Sequence, residues 1–182
     1  AGLRVPETAV VEITAESDKG NDLTAKCVNY SGAAGAGIGG NRNENTGKII
    51  ICGGTVTASS ESTGAGIGGG ASGCGDVLIK GGDITATSQS GAGIGNGHNS
   101  TGGTIVISGG KVKAEGKIGS AGIGAGDSGN DKNSTCGSIT ITGGIIEAQG
   151  GESASGIGNG LWRNDVVTSF QGQVTITGGE IK

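Results

Sequence analysis

The chain has 182 residues, of which 44 are glycine, one is proline and three are aromatic, and its net charge is −4. This composition excludes collagen, which needs a Gly-X-Y period and abundant proline. It also argues against disorder, because Ile and Val recur at ordered spacings. The weak negative charge disfavours nucleic-acid binding, and the lack of a long apolar run disfavours membrane insertion, which needs about 18 to 20 such residues.

The N-terminal region lacks the pattern of the rest of the chain. Val10, Val11 and Ile13 are followed by the polar stretch 16–21, and no initiating Met or signal peptide precedes them. We therefore expect a mature or excised segment, in which residues 1–31 form an N-terminal capping coil. Residues 32–182 are expected to form repeats that are truncated at the C-terminal end, because the chain stops at Lys182 in the middle of a repeat.

An Ala-Gly-Ile-Gly element, called segment C below, recurs five times with a degenerate last copy. Its isoleucines lie 29, 27, 29 and 34 residues apart. A recurrence of this length is typical of a repeat architecture in which each unit stacks on the next. The isoleucines are Ile38, Ile67, Ile94, Ile123 and Ile157.

Two further short strands follow each segment C. Segment A has an apolar residue at every second position, as at Ile49 and Ile51, which predicts a strand with one buried face. A Gly-Gly pair then bends the chain, because glycine accepts a positive φ without steric cost. Segment B follows and is expected to carry one inward residue per coil. These residues are Val56, Ile84, Val112, Ile146 and Ile181.

Three short strands in 27 to 34 residues match the coil length of a right-handed parallel β-helix. We predict an all-β solenoid of about five to six coils, with three strands in each coil. Stacking would place equivalent isoleucines about 4.8 Å apart in one internal ladder. A single coil buries little, so stability should come from the contact between neighbouring coils.

The outward positions indicate a mostly solvated surface. On segment B opposite charges follow one another, as at Asp83 and Lys111, which predicts weak exposed ion pairs. On segment A, Ile50, Leu78 and Val106 should form an apolar stripe. Segment C is expected to present glycine outward as a smooth face, although tight corners of the coil would also explain the glycines.

The loops after segment C are the longest, and stacking should bring them to one edge. There Trp162 could stack on a sugar while charged and polar side chains bind its hydroxyl groups. The alternative is that Asn, Asp and Gly are what turns require, and that Trp162 packs with Phe170. The candidate ligand-binding residues are His98, Asp127, Asp131, Trp162, Arg163 and Asp165.

The chain offers no clear metal site, and we expect no cofactor. The four cysteines lack the CxxC spacing of a zinc site. Asp127 and Asp131 could hold calcium, but their loop lacks the full ligand set of an EF-hand. Cys74 and Cys136 share one repeat position two coils apart, about 9–10 Å. This exceeds the roughly 7 Å that a disulfide spans between Cα atoms, so we expect free thiols.

The Gly-Ala-Gly-Ile-Gly-Gly run at 64–69, followed by strands of the form Ile-x-Ile-x-Gly-Gly-x-Val-x-Ala, resembles repeats in large surface proteins of gut Firmicutes, especially clostridia. The resemblance covers residues 32–182. It is also similar, more distantly, to clostridial β-helix domains that bind plant polysaccharides and carry calcium near Asp-Gly-Ile motifs. In this chain Ala or Ser stands at that Asp position, at Ala36, Ala65, Ala92, Ala121 and Ser155.

The resemblance implies a secreted or cell-surface module for adhesion or carbohydrate binding, with a polysaccharide or a host surface glycan or protein as partner. End-to-end or side-by-side self-association would also suit such a repeat. A purely structural stalk is the alternative. A polysaccharide lyase or hydrolase is the third hypothesis, and we expect no enzyme, because acid–base catalysis needs titratable groups gathered in a groove.

Overall fold

The computed structural model describes residues 1–15, 22–28, 34–129, 134–161 and 172–182. These residues form a parallel β-helix of six coils, in which each coil contributes one short strand to each of three six-stranded sheets. Every strand pairs in parallel with the equivalent strand of the next coil. The predicted fold class is confirmed.

The segments A form the A sheet, in which the alternation of apolar residues sets the register. Ile49 pairs with Val77 and Ile51 with Ile79, so like residues stack on like residues. The strands are β2 (Val10–Ile13), β5 (Lys48–Ile51), β8 (Asp76–Ile79), β11 (Thr101–Ile107), β14 (Thr135–Ile141) and β17 (Gln173–Ile176).

The segments B form the B sheet, which follows the Gly-Gly bend. The second glycine of the pair has a positive φ in each coil, for example +85° at Gly54 and +101° at Gly82. This conformation is why the bend needs glycine. The strands are β3 (Asp22–Cys27), β6 (Thr55–Ser60), β9 (Asp83–Ser88), β12 (Lys111–Gly116), β15 (Ile145–Gln149) and β18 (Glu180–Ile181).

The segments C form a narrow sheet of two-residue strands, the C sheet. The isoleucines stack as predicted, since Ile38 pairs with Ile67, Ile67 with Ile94, and Ile94 with Ile123. The strands are β1 (Leu3–Arg4), β4 (Ile38–Gly39), β7 (Ile67–Gly68), β10 (Ile94–Gly95), β13 (Ile123–Gly124) and β16 (Ile157–Gly158).

The first coil belongs to the same stack although its sequence lacks the repeat. Leu3 pairs with Ile38, Val11 with Ile49 and Leu23 with Val56. Residues 1–28 therefore supply β1, β2 and β3, one strand to each sheet. A capping role for this coil stays a prediction.

The core is a column of aliphatic side chains between the three sheets. Each middle coil buries its two segment A residues, its first inward segment B residue and the segment C isoleucine. The last coil differs: Val174, Ile176 and Ile181 are 39%, 47% and 41% exposed. They lie at inward positions, but no described coil stacks on their far side.

The prediction of one inward residue in each segment B is wrong, because these strands are longer than expected. In β6, Val56, Ala58 and Ser60 are all buried. The serine hydroxyl donates to the Gly35 carbonyl at 2.9 Å, and Ser88 donates to Gly64 at 2.6 Å in the next coil. These hydrogen bonds tie the end of segment B to the loop that leads into segment C.

The outward columns follow the predicted register. Lys111 pairs with Asp83 at 3.5 Å and Lys113 with Glu147 at 3.0 Å. All four side chains are more than half exposed, so each pair contributes at most about 1 kcal/mol. On the A sheet Ile50, Leu78 and Val106 form the expected stripe, and each is half-buried.

Candidate functional site

Segment C is a tight bend whose two ends meet. The Ala36 amide donates to the Gly40 carbonyl at 2.9 Å, and Ala65 to Gly69 at 2.8 Å. The same bond recurs in the three later coils. The chain therefore enters and leaves segment C at adjacent points, and it buries one isoleucine between them.

The expected smooth outward face of glycine is wrong, because the glycines of segment C are buried in the middle coils. A Cβ on Gly39 would lie 1.8 Å from the Gly68 carbonyl oxygen, and φ at Gly39 is +139°. A Cβ on Gly37 would lie 2.6 Å from the backbone nitrogen of Ser59. The alternative explanation, that a tight corner requires glycine, is the correct one.

The loop before segment C in one coil and the loop after segment C in the next coil are joined by backbone hydrogen bonds. The His98 amide donates to the Thr63 carbonyl at 2.8 Å, and the Asp127 amide to Ser90 at 3.0 Å. Ala71 donates to Ala34 in the same way, at 2.8 Å. We call the surface formed by these stacked loops the loop face. It comprises residues 4–8, 41–46, 70–74, 97–100 and 126–129, with the facing residues 34, 62–63 and 90.

The loop face brings two of the predicted ligand residues together. His98 and Asp127 both stand four residues after the isoleucine of segment C, in adjacent coils. The His98 Nε2 lies 2.9 Å from the position that a Cβ on Gly129 would take. Asp127 is only 4% exposed, and its Oδ1 accepts a bond from the Gly129 amide at 3.3 Å. His98 is half-buried, so it is the more exposed of the two.

The other four predicted ligand residues lie outside the described residues. They are Asp131, Trp162, Arg163 and Asp165. The suggested packing of Trp162 with Phe170, and a calcium site that includes Asp131, also fall there. Among the described residues, no group of three or more His, Cys, Asp or Glu could hold a metal ion.

Two polar grooves lie on the loop face. The first, of about 370 Å³, is lined by Arg42, His98, Ser62, Thr63, Ser72 and Asn99, together with Ala34 and Ala71. The second, of about 540 Å³, is lined by Arg4, Pro6, Glu7, Thr8, Asn43, Glu44, Asn45 and Ser72. Both contain Ser72, so they adjoin along the stack.

A column of strained residues runs along both grooves. Asn43, Ser72 and Asn99 occupy the same loop position in three successive coils, with φ of 60°, 60° and 56°. The Asn43 amide donates to the Ala71 carbonyl and the Ser72 amide to the His98 carbonyl, which keeps the loops in register. A left-handed residue other than glycine costs on the order of 1 kcal/mol, and such residues cluster at functional sites. Asn also tolerates this conformation better than most residues.

The charged side chains of the larger groove are paired. The Arg4 guanidinium donates to both carboxylate oxygens of Glu44, at 3.1 and 2.8 Å. These hydrogen bonds lower the pKa of Glu44 and raise that of Arg4. The Asn45 amide donates to Glu7 Oε1 at 3.1 Å. The groove is therefore polar, and its two carboxylates are held by neighbouring donors.

The cysteines are free thiols, as expected. Cys74 and Cys136 flank Gly102, which pairs with Cys136 and would place a Cβ 3.5 Å from the Cys74 Sγ. Burial raises the pKa of Cys136 to about 12. It also raises the pKa of Cys74. A thiol with a raised pKa is a poor nucleophile, because the thiolate is the reactive form.

Sequence reasoning identified the loop edge but missed most of its residues. It selected His98 and Asp127 as side chains that could bind a sugar or calcium, whereas Asn43, Ser72 and Asn99 are common turn residues. Their shared offset, five positions after the isoleucine, was the signal that could have revealed them. Arg4 and Glu7 carried no such signal, because the first coil lacks the Gly-Ile-Gly element.

A family model described as a beta helix repeat matches residues 49–71, 77–98, 105–127 and 139–161. Each match begins in segment A and ends in the loop after segment C, and together the four cover half of the chain. No curated protein and no solved structure matches the chain. Among the described residues, no helix has the length and apolar character needed to cross a membrane.

Proposed function

The chain belongs to the beta helix repeat family, and on this premise we propose that it is a non-catalytic module of a bacterial surface protein that binds polysaccharide on its loop face. The observation that carries the proposal is the groove of about 370 Å³ lined by Arg42, His98, Ser72 and Asn99. Guanidinium, imidazole, hydroxyl and amide groups supply both donors and acceptors, as a ligand rich in hydroxyl groups requires.

The rigidity of the scaffold supports binding at this place. Polar groups bind a ligand well when the elements that hold them are fixed before the ligand arrives. Here backbone bonds of 2.8 to 3.0 Å join the loops of adjacent coils, at Ala71, His98 and Asp127. The loops that carry the groove side chains are therefore held in place before a ligand binds.

The lack of catalysis is part of the proposal and rests on the chemistry of the groove carboxylates. Glycoside hydrolysis needs a carboxylic acid whose pKa is raised, so that it can protonate the leaving oxygen. The pKa of Glu44 is lowered instead, because Arg4 donates two hydrogen bonds to it. Glu44 is thus suited to accept hydrogen bonds from a bound sugar and unsuited to act as an acid.

A secreted or cell-surface location follows from the resemblance to repeats of Firmicutes surface proteins and is proposed on that basis. Adhesion to a host glycan or protein would use the same surface. A structural stalk remains the competing function, and self-association would accompany it. The stalk hypothesis requires no ligand, so binding experiments separate the two.

The test is an array of plant, bacterial and host glycans probed with the 182-residue chain and with the variants Arg42→Ala and His98→Ala. We expect binding to at least one polysaccharide and a loss of about fivefold or more in each variant, as for removal of a hydrogen bond to a charged or polar group. Lys111→Ala, on the B sheet, is the matched control and should bind as the wild type does.

Three outcomes would contradict the proposal. Binding to no glycan on the array would favour the stalk. Release of shortened or unsaturated sugars from a bound polysaccharide would show that the chain is an enzyme. Binding that survives both loop-face substitutions would place the site elsewhere on the molecule.

A further inference from the structure

The two grooves of the loop face share Ser72 and together cover four coils. The larger one begins at Arg4 and Glu7 in the first coil and reaches Asn43 in the second and Ser72 in the third. The smaller one continues from Ser72 to His98 and Asn99 in the fourth. One polar track therefore runs parallel to the axis of the β-helix.

The column Asn43, Ser72 and Asn99 places an equivalent side chain on the track once in every coil. The three residues repeat once per coil with nearly the same φ, between 56° and 60°. Neighbouring coils of a parallel sheet lie about 4.8 Å apart. A linear chain of pyranose rings advances by a similar distance per ring, so successive rings could meet equivalent side chains in successive coils.

The charges along the track balance. Arg4 and Arg42 are opposed by Glu7 and Glu44, and Arg4 and Glu44 already pair with each other. A track of zero net charge exerts little long-range attraction on a polyanion. None of the described lining residues is Phe, Tyr or Trp. Most sugar rings would therefore gain hydrogen bonds rather than stacking contacts, and affinity must accumulate over several rings.

We infer that the ligand of the loop face is a neutral, linear polysaccharide bound parallel to the helix axis, with about one sugar ring per coil along Asn43, Ser72 and Asn99. This inference rests on the proposed function and specifies its ligand class and its direction. It assigns Asn43, Ser72, Arg4 and Glu7 to a binding site, whereas sequence reasoning had selected only His98 among the described groove residues.

The test measures affinity for neutral linear oligosaccharides of one to six rings, drawn from the glucans, mannans and xylans. Affinity should rise with each added ring up to about four, the number of coils in the track, and then level off. Polygalacturonate, a linear polyanion, should bind more weakly than the best neutral chain. Isothermal titration calorimetry gives each dissociation constant.

Glycine substitutions identify the contacts without straining the loop. Asn43→Gly, Ser72→Gly and Asn99→Gly remove a side chain at a position where glycine accepts the positive φ at no steric cost. Each should weaken the binding of a tetrasaccharide by about fivefold, and a disaccharide should lose less, because it can use the remaining positions. Ser153→Gly is the matched control: φ is 58° there as well, but Ser153 lines neither groove, and binding should not change.

The outcomes separate this inference from the proposed function. If no polysaccharide binds the wild-type chain, both fail. If a polysaccharide binds but affinity is independent of chain length, or polygalacturonate binds best, the proposed function stands and the axial neutral ligand is wrong. Unchanged binding in all three glycine variants would also overturn it.

Discussion

Single residues act in this protein through backbone conformation more than through reactive side chains. In segment C the isoleucine fills the core, while the glycines occupy places where no side chain fits. At Gly68 φ is +129°, and a Cβ would lie 2.0 Å from the Gly95 carbonyl oxygen. On the loop face, by contrast, Asn43 and Ser72 carry side chains at positions whose positive φ glycine would adopt with less strain.

Gly68→Ala tests the role of glycine in segment C. We expect it to lower the free energy of unfolding by about 2 to 5 kcal/mol, from backbone strain together with overpacking. Gly53→Ala is the control, because a Cβ there would meet only Ala15, at 3.1 Å. It should cost less than about 1 kcal/mol. Urea unfolding followed by circular dichroism measures both, and equal losses would contradict the explanation.

The burial of the Cys136 thiol predicts that the protein becomes less stable at alkaline pH. Burial raises its pKa from 9.0 to about 12, so the unfolded chain loses this proton first as the pH rises. The stabilisation is therefore complete below pH 9 and is lost progressively between about pH 9 and 12. Urea midpoints at pH 7, 9 and 10.5 should fall more for the wild type than for Cys136→Ala. Parallel curves for the two proteins would show that the thiol is not protected by the fold.

At the scale of elements, hydrogen bonds across coils decide how segment C is held. Asn96 is fully buried, and its amide donates to the Gly102 carbonyl of its own coil and the Thr135 carbonyl of the next, both at 2.9 Å. The equivalent residue is Gly40, Gly69 or Ala125 in three other coils, and Asn159 in the coil that contains Ile157. The Asn96 side chain thus links the end of its segment C to two strands of the A sheet, β11 and β14.

The substitution Asn96→Ala measures how much these two hydrogen bonds contribute to stability. The backbone accommodates alanine at this position, since Ala125 occupies it in the next coil. We expect a loss of about 1 to 3 kcal/mol, because one buried and one partly buried carbonyl group lose their donor. Asn45→Ala removes only exposed bonds, the one to Glu7 and a weak one from the Cys74 thiol at 3.7 Å, and should cost under about 1 kcal/mol. Thermal and urea unfolding distinguish the two, and a neutral Asn96→Ala would show that the amide bonds do not stabilise the stack.

The whole molecule is a linear stack, so stability depends on the number of neighbouring coils. Strands β8 and β9 pair with a strand on both sides, whereas β17 and β18 pair on one side only. The apolar side chains of the last coil are correspondingly exposed. In such a stack the contact between repeats supplies most of the free energy of folding.

Hydrogen exchange tests whether the last coil is less stable than the middle coils. The amides of β17 and β18 should exchange at least about tenfold faster than those of β8 and β9, because opening the last coil breaks one interface between coils and opening a middle coil breaks two. Mass spectrometry of peptides from the two regions gives the rates. Equal protection throughout would mean that the chain opens only as one cooperative unit.

Much of this structure could be predicted because a repeat displays its contacts in the sequence. The alternation of Ile49 and Ile51, and the recurrence of Ile38 at Ile67 and Ile94, are direct consequences of stacking, so they gave the fold class, the register and the core. The burial of Ala58 and Ser60 was missed, since small and polar residues carry no hydrophobic signal. The candidate site was predicted to lie on the loops, but among the described residues that line its grooves only His98 was selected.

The amino-acid sequence by itself determined the β-helix, the three strands per coil and the residues of the isoleucine ladder, because periodic burial requires a periodic pattern. The tertiary structure alone decided what surrounds segment C. The glycines are buried because the loops on both sides close over them through bonds between different coils, as at His98 and Thr63. Such bonds join backbone groups, which are the same in every residue, and therefore leave no trace in the sequence.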